Sequence, residues 1–362
     1  MTRLLIDAHL DIGWNDLSFN RDQTISVEEL NRAESHMTDV RCRGKATTTL
    51  PELHRSGVAV CVATLLARGG PARPQRPRYL QTNLDFHSQG IAHAAAQGQL
   101  AYYRLMERQG HLRMVRTVDD LTRHWTQWQD ERESNLPIGY ILSMEGADPI
   151  VDPSYLEDYW EQGLRAIGPA HYGQSHYAYG TGVSGPLSDK GVKLLQEMDR
   201  LGMLLDVTHL CDESMYQAFD LFQGPVLASH HNCRSLVPGD RQLEDEQIRI
   251  LIERGAVVGA ALDAWMLKPG WVRGESSSDG LTMQAVADHT DRICQLAGTA
   301  RHVAIGTDLD GGFGTEQTPS DLKKYGDIHS LVAIYQERGY SEADIDGIFH
   351  GNWLRLFQSA LP

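Results

Sequence analysis

Leu4-Leu5-Ile6-Asp7-Ala8-His9-Leu10-Asp11 opens the chain with an apolar run that passes into alternating polar residues. Read as a strand, it places side chains two apart on one face, so His9 and Asp11 point the same way at its carboxyl end. An imidazole and a carboxylate held side by side on a rigid element suit a divalent metal. H-x-D alone recurs by chance, so its weight depends on what the ends of the other runs supply.

Seven further apolar, β-branched runs follow, at 57–66, 138–144, 165–170, 203–208, 225–229, 256–262 and 302–307. Near-continuous hydrophobicity marks strands covered on both faces, as in parallel sheets. Strand and helix alternating eight times predicts an α/β fold, a (β/α)8 TIM barrel. Helical spacing is clear at 188–201, which opens on Ser188-Asp189 and closes at Gly202, and at 212–222, 244–254 and 279–298. The connection at about 67–137 exceeds what a barrel needs. It reads as a Pro/Arg-rich loop at 69–78 and helices at 83–108 and 119–131 that pack on the barrel. Residues 20–52 read as an excursion after the first strand. The expectation is one barrel domain, 1–362, with insertions after strands 1 and 2.

Composition narrows the function classes. A chain of 362 residues, 41% hydrophobic, can bury a large core, and a net charge of −15 with no basic stripe argues against nucleic acid. Five scattered cysteines without C-x-x-C spacing fit a reducing compartment. Cys61 reads as core, while Cys211 and Cys233 follow candidate histidines and are weak candidates for a catalytic thiol. The first strand begins too early to leave room for a signal peptide, no run approaches the ~20 apolar residues of a membrane span, and 353–362 lacks an anchor tail. These points predict a cytoplasmic protein with no membrane partner.

The strand ends carry the chemistry. The first run ends in His9 and Asp11, the third in Glu145, the fourth in His171, the fifth in His209, the sixth in His230 and the eighth in Asp308. In a barrel these ends converge on one mouth, where such enzymes keep their active sites. Two metals fit this set better than one: His9, Asp11, His209 and His230 are terminal ligands, and Glu145 can span two ions. Paired ions clamp and activate a hydroxide at neutral pH. Zn is the first choice from imidazole plus carboxylate, with Mn and Co also suited.

With these residues in hand, the chain resembles the membrane (renal) dipeptidases, the M19 metallopeptidases of the amidohydrolase-type barrels. The motifs that carry the resemblance are Asp7-Ala-His-Leu-Asp11, Met144-Glu-Gly-Ala-Asp148, Asp206-Val-Thr-His209, Ser229-His230, Gly306-Thr-Asp-Leu-Asp-Gly311 and a late Gly351-Asn352. The resemblance implies that His9 and Asp11 hold one metal, His209 and His230 the other, and that Glu145 bridges. It also implies that His171 stabilises the oxyanion and that Asp308 moves a proton from a bridging water to the leaving amine. Arg241 would grip the substrate's free carboxylate. The substrate implied is a small dipeptide, with tolerance of a D-residue on the carboxyl side, and the assembly a homodimer. His231, Gln242 and the segment 172–177 depart from the family pattern and bear on substrate preference. An amidohydrolase-type reaction on N-acyl amino acids, lactams or related amides is the alternative. A non-catalytic barrel would require a lost ligand, and none is lost.

Several residues admit plainer roles. Arg234 competes with Arg241, and Asp310 with Asp308, although Asp308 lies nearer its strand end. Asp7 and Asp206 read as supports for neighbouring histidines. His231 and His176 are candidates to touch substrate, whereas His36, His54, His87, His93, His111, His124, His289, His302, His329 and His350 read as surface or packing residues. Tyr155, Tyr159 and Trp160 read as core packing at helical spacing.

Overall fold

The computed structural model describes residues 3–71, 83–130 and 136–362. Nine strands run through the described residues: β1 (Leu5–Leu10), β2 (Val58–Leu66), β3 (Leu112–Met114), β4 (Ile138–Glu145), β5 (Leu164–Gly168), β6 (Leu204–Asp206), β7 (Val226–Leu227), β8 (Val258–Ala260) and β9 (Val303–Ile305). The order β1-β2-β4-β5-β6-β7 forms one sheet and β8-β9 another, all parallel. A parallel bridge between Ala228 and Val258 joins them on one side. On the other, Asp308 N donates to His9 O at 3.3 Å and Thr307 N to Asp7 Oδ1 at 2.9 Å. Leaving out β3, eight strands close into the expected (β/α)8 barrel.

Every position of β2 and β4 is buried, as their unbroken apolar runs require. The last four barrel strands keep only two or three ladder residues each, shorter than their apolar runs. Here the chain packs by close backbone approach instead. A Cβ at Gly259 or Gly306 would fall 1.9 or 1.8 Å from the carbonyl oxygen of Ser229, a space only glycine leaves open.

The helices follow their signals. Ser188 Oγ accepts from Gly191 N at 3.0 Å to cap Asp189–Leu201, and Gly202 ends it with a left-handed φ of 66°. The helix expected from 279 starts only at Met283, because the Leu281 carbonyl accepts from Ser320 N and Oγ and holds that turn elsewhere. Tyr159 is buried, but Tyr155 is 49% exposed and does not belong to the core. Trp160 lies under the Arg165 guanidinium, 3.8 Å from ring to cation.

The connection after β2 does more than pack on the barrel. Helices Gln89–Arg108 and Val118–Asp130 flank β3, which pairs parallel with the start of β4. Three residues, with Arg113 exposed between two buried neighbours, are too short a pattern to read as a strand. The loop expected at 69–78 and residue 131 fall largely outside the described residues. Gln99 caps β2 by bonding both Leu66 N and Leu66 O, at 2.8 and 2.7 Å. Tyr103 Oη donates to Thr64 O and accepts from Gly13 N, each at 2.9 Å. The excursion after β1 is tied down by Asp310, whose carboxylate accepts from the backbone N and hydroxyl of both Thr47 and Thr48.

One large apolar cluster runs from Leu4 to Leu361, and a smaller one joins Trp14, Phe19, Cys42 and Leu66. No helix among the described residues is long and apolar enough to cross a membrane. Cys211 and Cys233 are buried, and burial pushes the Cys233 thiol up to about 12, so Cys233 is not a poised thiolate.

Two buried histidines set an acid limit on this core. His124 Nε2 donates to Ala59 O at 2.8 Å and His289 Nδ1 accepts from Cys233 N at 3.0 Å, arrangements that suit neutral rings. Burial lowers both to about 4. The unfolded chain therefore binds these protons first as pH falls. Their stabilisation is complete above pH ~6.5 and is lost towards pH 4, up to about 3 kcal/mol each. Urea midpoints of metal-free protein between pH 7 and 4 should fall less steeply in a His124→Gln, His289→Gln double variant than in the wild type. Parallel curves would refute the assignment.

Candidate metal centre

All the singled-out strand-end residues meet at one mouth. His9 and Asp11 lie at the end of β1, Glu145 is the last residue of β4, and His171, His209, His230 and Asp308 each lie three residues beyond β5, β6, β7 and β9. His209 and Asp308 take left-handed backbones, φ 69° and 58°, which turn each side chain back over the barrel. Such backbones are uncommon outside glycine and mark positions held by their surroundings.

Glu145 Oε1 sits at the middle. Around it stand His209 Nε2 at 3.1 Å, His230 Nε2 at 3.4 Å, His9 Nε2 at 3.6 Å and His171 Nε2 at 3.8 Å. His9 Nε2 is also 3.6 Å from Asp11 Oδ1 and 3.9 Å from Asp308 Oδ1. Three overlapping sets of metal-competent atoms result: His9, Glu145 and His230; Glu145, His171 and His209; and His9, Asp11 and Asp308. His9 Nε2 is buried with no hydrogen-bond partner among the described residues, while His209 Nε2 and His230 Nε2 face each other at 3.3 Å. Nitrogens converging without donors between them fit a divalent cation.

Hydroxyls set the ring orientations. His209 Nδ1 meets Thr181 Oγ1 at 3.0 Å, and Ser229 Oγ meets His230 Nδ1 at 2.9 Å and His9 Nδ1 at 3.4 Å. With Nδ1 occupied, Nε2 is the atom left to ligate. Thr64 on β2 donates its hydroxyl to Asp11. Asp7 accepts from Thr307 and Tyr325, and Asp206 accepts from Thr208 N and Ser229 N.

His171 differs from the other rings. Its Nδ1 lies 3.5 Å from Arg68 Nη1, a pure donor, which leaves the proton on Nε2, pointing towards Glu145. It is therefore oriented as a hydrogen-bond donor into the site.

Burial dominates the electrostatics. It drives His209 and His230 well below the usual imidazole range, helped by Arg241 and neighbouring rings, which leaves them neutral as ligands must be. Burial opposes charge on His9 as well, but the carboxylates of Glu145 and Asp11 outweigh it and raise the ring. Glu145 and Asp308 are raised by burial, Asp308 well above the carboxylate range with Asp11, Glu145 and Asp263 adding to the effect. This many acids in one dry mouth calls for a cation.

The competing candidates differ in their partners. Arg241 is 1% exposed, donates Nη2 to His230 O at 2.9 Å, and has no partner for Nε or Nη1 among the described residues. Arg234 is spent on Asp212 and Glu244, at 2.7 and 2.5 Å. Asp310 is taken by Thr47 and Thr48. His231 is buried and its ring bonds the Arg241 backbone, while His176 pairs with Asp148 at 3.2 Å. None of His231, His176 and Arg241 is among the residues that line the cavity.

The cavity above the centre has a volume of about 860 Å³ and aromatic walls that include Trp14, Trp265, Trp271 and Phe313. Sequence reasoning missed Asp263 and Arg68, which also line it. Asp263 directly follows the apolar run 256–262, so the rule that found the other residues also reaches it. From the departing segment 172–177 only Tyr172 reaches the cavity, since Ser175 and His176 turn to Asp148.

The profile of the membrane dipeptidases, peptidase family M19, matches residues 2–361. An uncharacterized dipeptidase of Schizosaccharomyces pombe is 26% identical over 78% of this chain and 66% of its own length. Dipeptidase 3 of Mus musculus is 31% identical over 51% of this chain and 34% of its own. The chain thus spans about two thirds of the first of these relatives and about a third of the second. Among solved structures, a metallopeptidase from Rhodobacter sphaeroides, liganded with a phosphinate mimic of L-Ala-D-Ala, superposes with a TM-score of 0.78 at 22% identity, covering 100% of both chains. The probable dipeptidase PvdM of Pseudomonas aeruginosa gives 0.76 at 18% identity, covering 99% of this chain and 96% of its own. At these identities the superpositions establish the fold.

Proposed function

The chain belongs to the membrane dipeptidase family, peptidase family M19, and we propose that it is a metal-dependent dipeptidase working as one barrel domain. The observation that carries this is the convergence of four imidazole Nε2 atoms within 3.8 Å of Glu145 Oε1. His9 and Asp11 would hold one divalent cation, His209 and His230 a second, with Glu145 spanning both; the imidazole and carboxylate donors favour Zn. The chemistry such a pair supplies when bound is Lewis-acid: a water acidified for attack near neutral pH and a polarised amide carbonyl.

The chain's own groups do the rest. Arg241 takes the substrate's carboxylate with the two donors left unpartnered, which fixes the dipeptide's direction. His171 donates from Nε2 to the carbonyl oxygen as negative charge develops there. Asp308 accepts the proton of the attacking water as the C–O bond forms and delivers it to the amine as the C–N bond breaks. Tolerance of a D-residue belongs to this reading and is supported by the L-Ala-D-Ala mimic bound by the Rhodobacter protein. The amide-hydrolase alternative rested on the segment 172–177, and that segment mostly faces away from the cavity.

Chelated, metal-free protein should be inert on a panel of L-Xaa-D-Xaa dipeptides and regain turnover as two equivalents of zinc are restored. Inert protein after zinc is restored, or full activity without metal, would dispose of the proposal.

A further inference from the structure

We propose that Arg41 and Arg273, at the rim of the cavity, bind an acidic side chain of the substrate. The proposal rests on the dipeptidase reading and deepens it to a substrate class: dipeptides carrying a side-chain carboxylate.

The two arginines come from separate segments. Arg41 lies on the excursion after β1 and Arg273 on the loop after β8, and both line the cavity that holds the metal centre. Their meeting point is tightly built. A Cβ placed on Gly274 would fall 1.5 Å from Arg41 Nη1, so the Arg41 guanidinium occupies the place of the missing side chain beside Arg273. Gly274 also has φ +83°, which a side chain tolerates poorly.

Two cations line one cavity in a chain that carries 48 Asp and Glu. Among the described residues Arg41 makes no hydrogen bond or ion pair, and Arg273 makes only one hydrogen bond, from Nη2 to Gly312 O at 2.6 Å. The acids deeper in the cavity are committed. Asp11, Glu145 and Asp308 belong to the metal centre, and Asp263 accepts from Gln317 Nε2 at 2.9 and 3.0 Å and from Trp265 N at 3.2 Å. An anion arriving with the substrate is what the rim lacks. Guanidinium forks match a carboxylate two bonds at a time, while a cationic side chain at the same place meets two like charges.

The test compares kcat/KM for L-Ala-D-Glu and L-Ala-D-Gln, which differ only in charge, with L-Glu-D-Ala and L-Gln-D-Ala locating the acid on either residue. Zinc-loaded wild type should prefer the acidic member of one pair at least about 10-fold. In Arg41→Gln or Arg273→Gln that preference should fall by roughly 10- to 100-fold. Gly274→Ala should reproduce the Arg41 loss by displacing its guanidinium. A preference near one in the wild type, or one unchanged in the variants, overturns the proposal. Calorimetric binding of free glutamate against glutamine reads the same selectivity without turnover. An Arg41-dependent preference for glutamate in protein that cleaves no dipeptide would sustain this proposal and refute the dipeptidase reading. Cleavage of L-Ala-D-Ala without any preference for acid would do the reverse.

Discussion

Glu145→Gln should empty the metal centre and lower kcat/KM at least about 1,000-fold while leaving the barrel folded. Glu145 Oε1 lies within 3.8 Å of the Nε2 atoms of His9, His171, His209 and His230 together. The amide keeps the size of the carboxylate and removes its charge, so both cations would lose their shared anion at once. Even a residue that merely orients a ligand costs 10- to 100-fold in metal affinity when removed; a shared ligand costs more. Stability should move the other way in metal-free protein. Burial raises Glu145, with the nearby Asp11 charge adding to the effect, so deleting one buried acid relieves the fold. Metal analysis, turnover and a urea melt on the same preparation check all three parts. Two retained metals with lost activity would show that Glu145 serves as something other than a ligand.

Asp308→Asn should keep both metals and lower kcat by roughly 100- to 10,000-fold with little change in KM. Asparagine is the informative replacement because it tolerates the left-handed backbone at φ 58°, where alanine would add strain of its own. The geometry allows a rival. Asp308 Oδ1 lies 3.9 Å from His9 Nε2 and groups with Asp11, as a third ligand would. Under that rival the variant loses metal in step with activity, and added zinc restores part of the rate. A proton carrier cannot be rescued in this way. Metal content at a fixed low kcat therefore decides between the two roles.

Most of the barrel was legible because its strands are buried on both faces, and a buried strand must be apolar throughout. The ends were legible for the opposite reason: a histidine or acid that interrupts such a run has to be accounted for. β3 was not, since Leu112, Arg113 and Met114 carry no pattern longer than chance. Asp308 and Asp310 lie two apart in one motif, and only the excursion after β1, folding back to place Thr47 and Thr48, claims one of them. Arg234 and Arg241 separate in the same way, because the acids that neutralise Arg234 come from other segments, Asp212 and Glu244. The rim arginines were invisible because the packing of Arg41 against the loop of Arg273 depends on a missing Cβ at Gly274. What sequence omits in each case is a partner contributed from a distance.

The Gln99 clasp on Leu66 bears on any attempt to pare this chain down to eight bare β/α units. Trimming the segment between β2 and β4 would strip both hydrogen bonds from the last peptide of β2 and the Tyr103 hydroxyl from Thr64 O, two residues earlier. Thr64 is also the residue that steadies Asp11. A minimal version would thus fray first beside the cluster of His9, Asp11 and Glu145, and a designer would have to graft a substitute amide there before deleting anything.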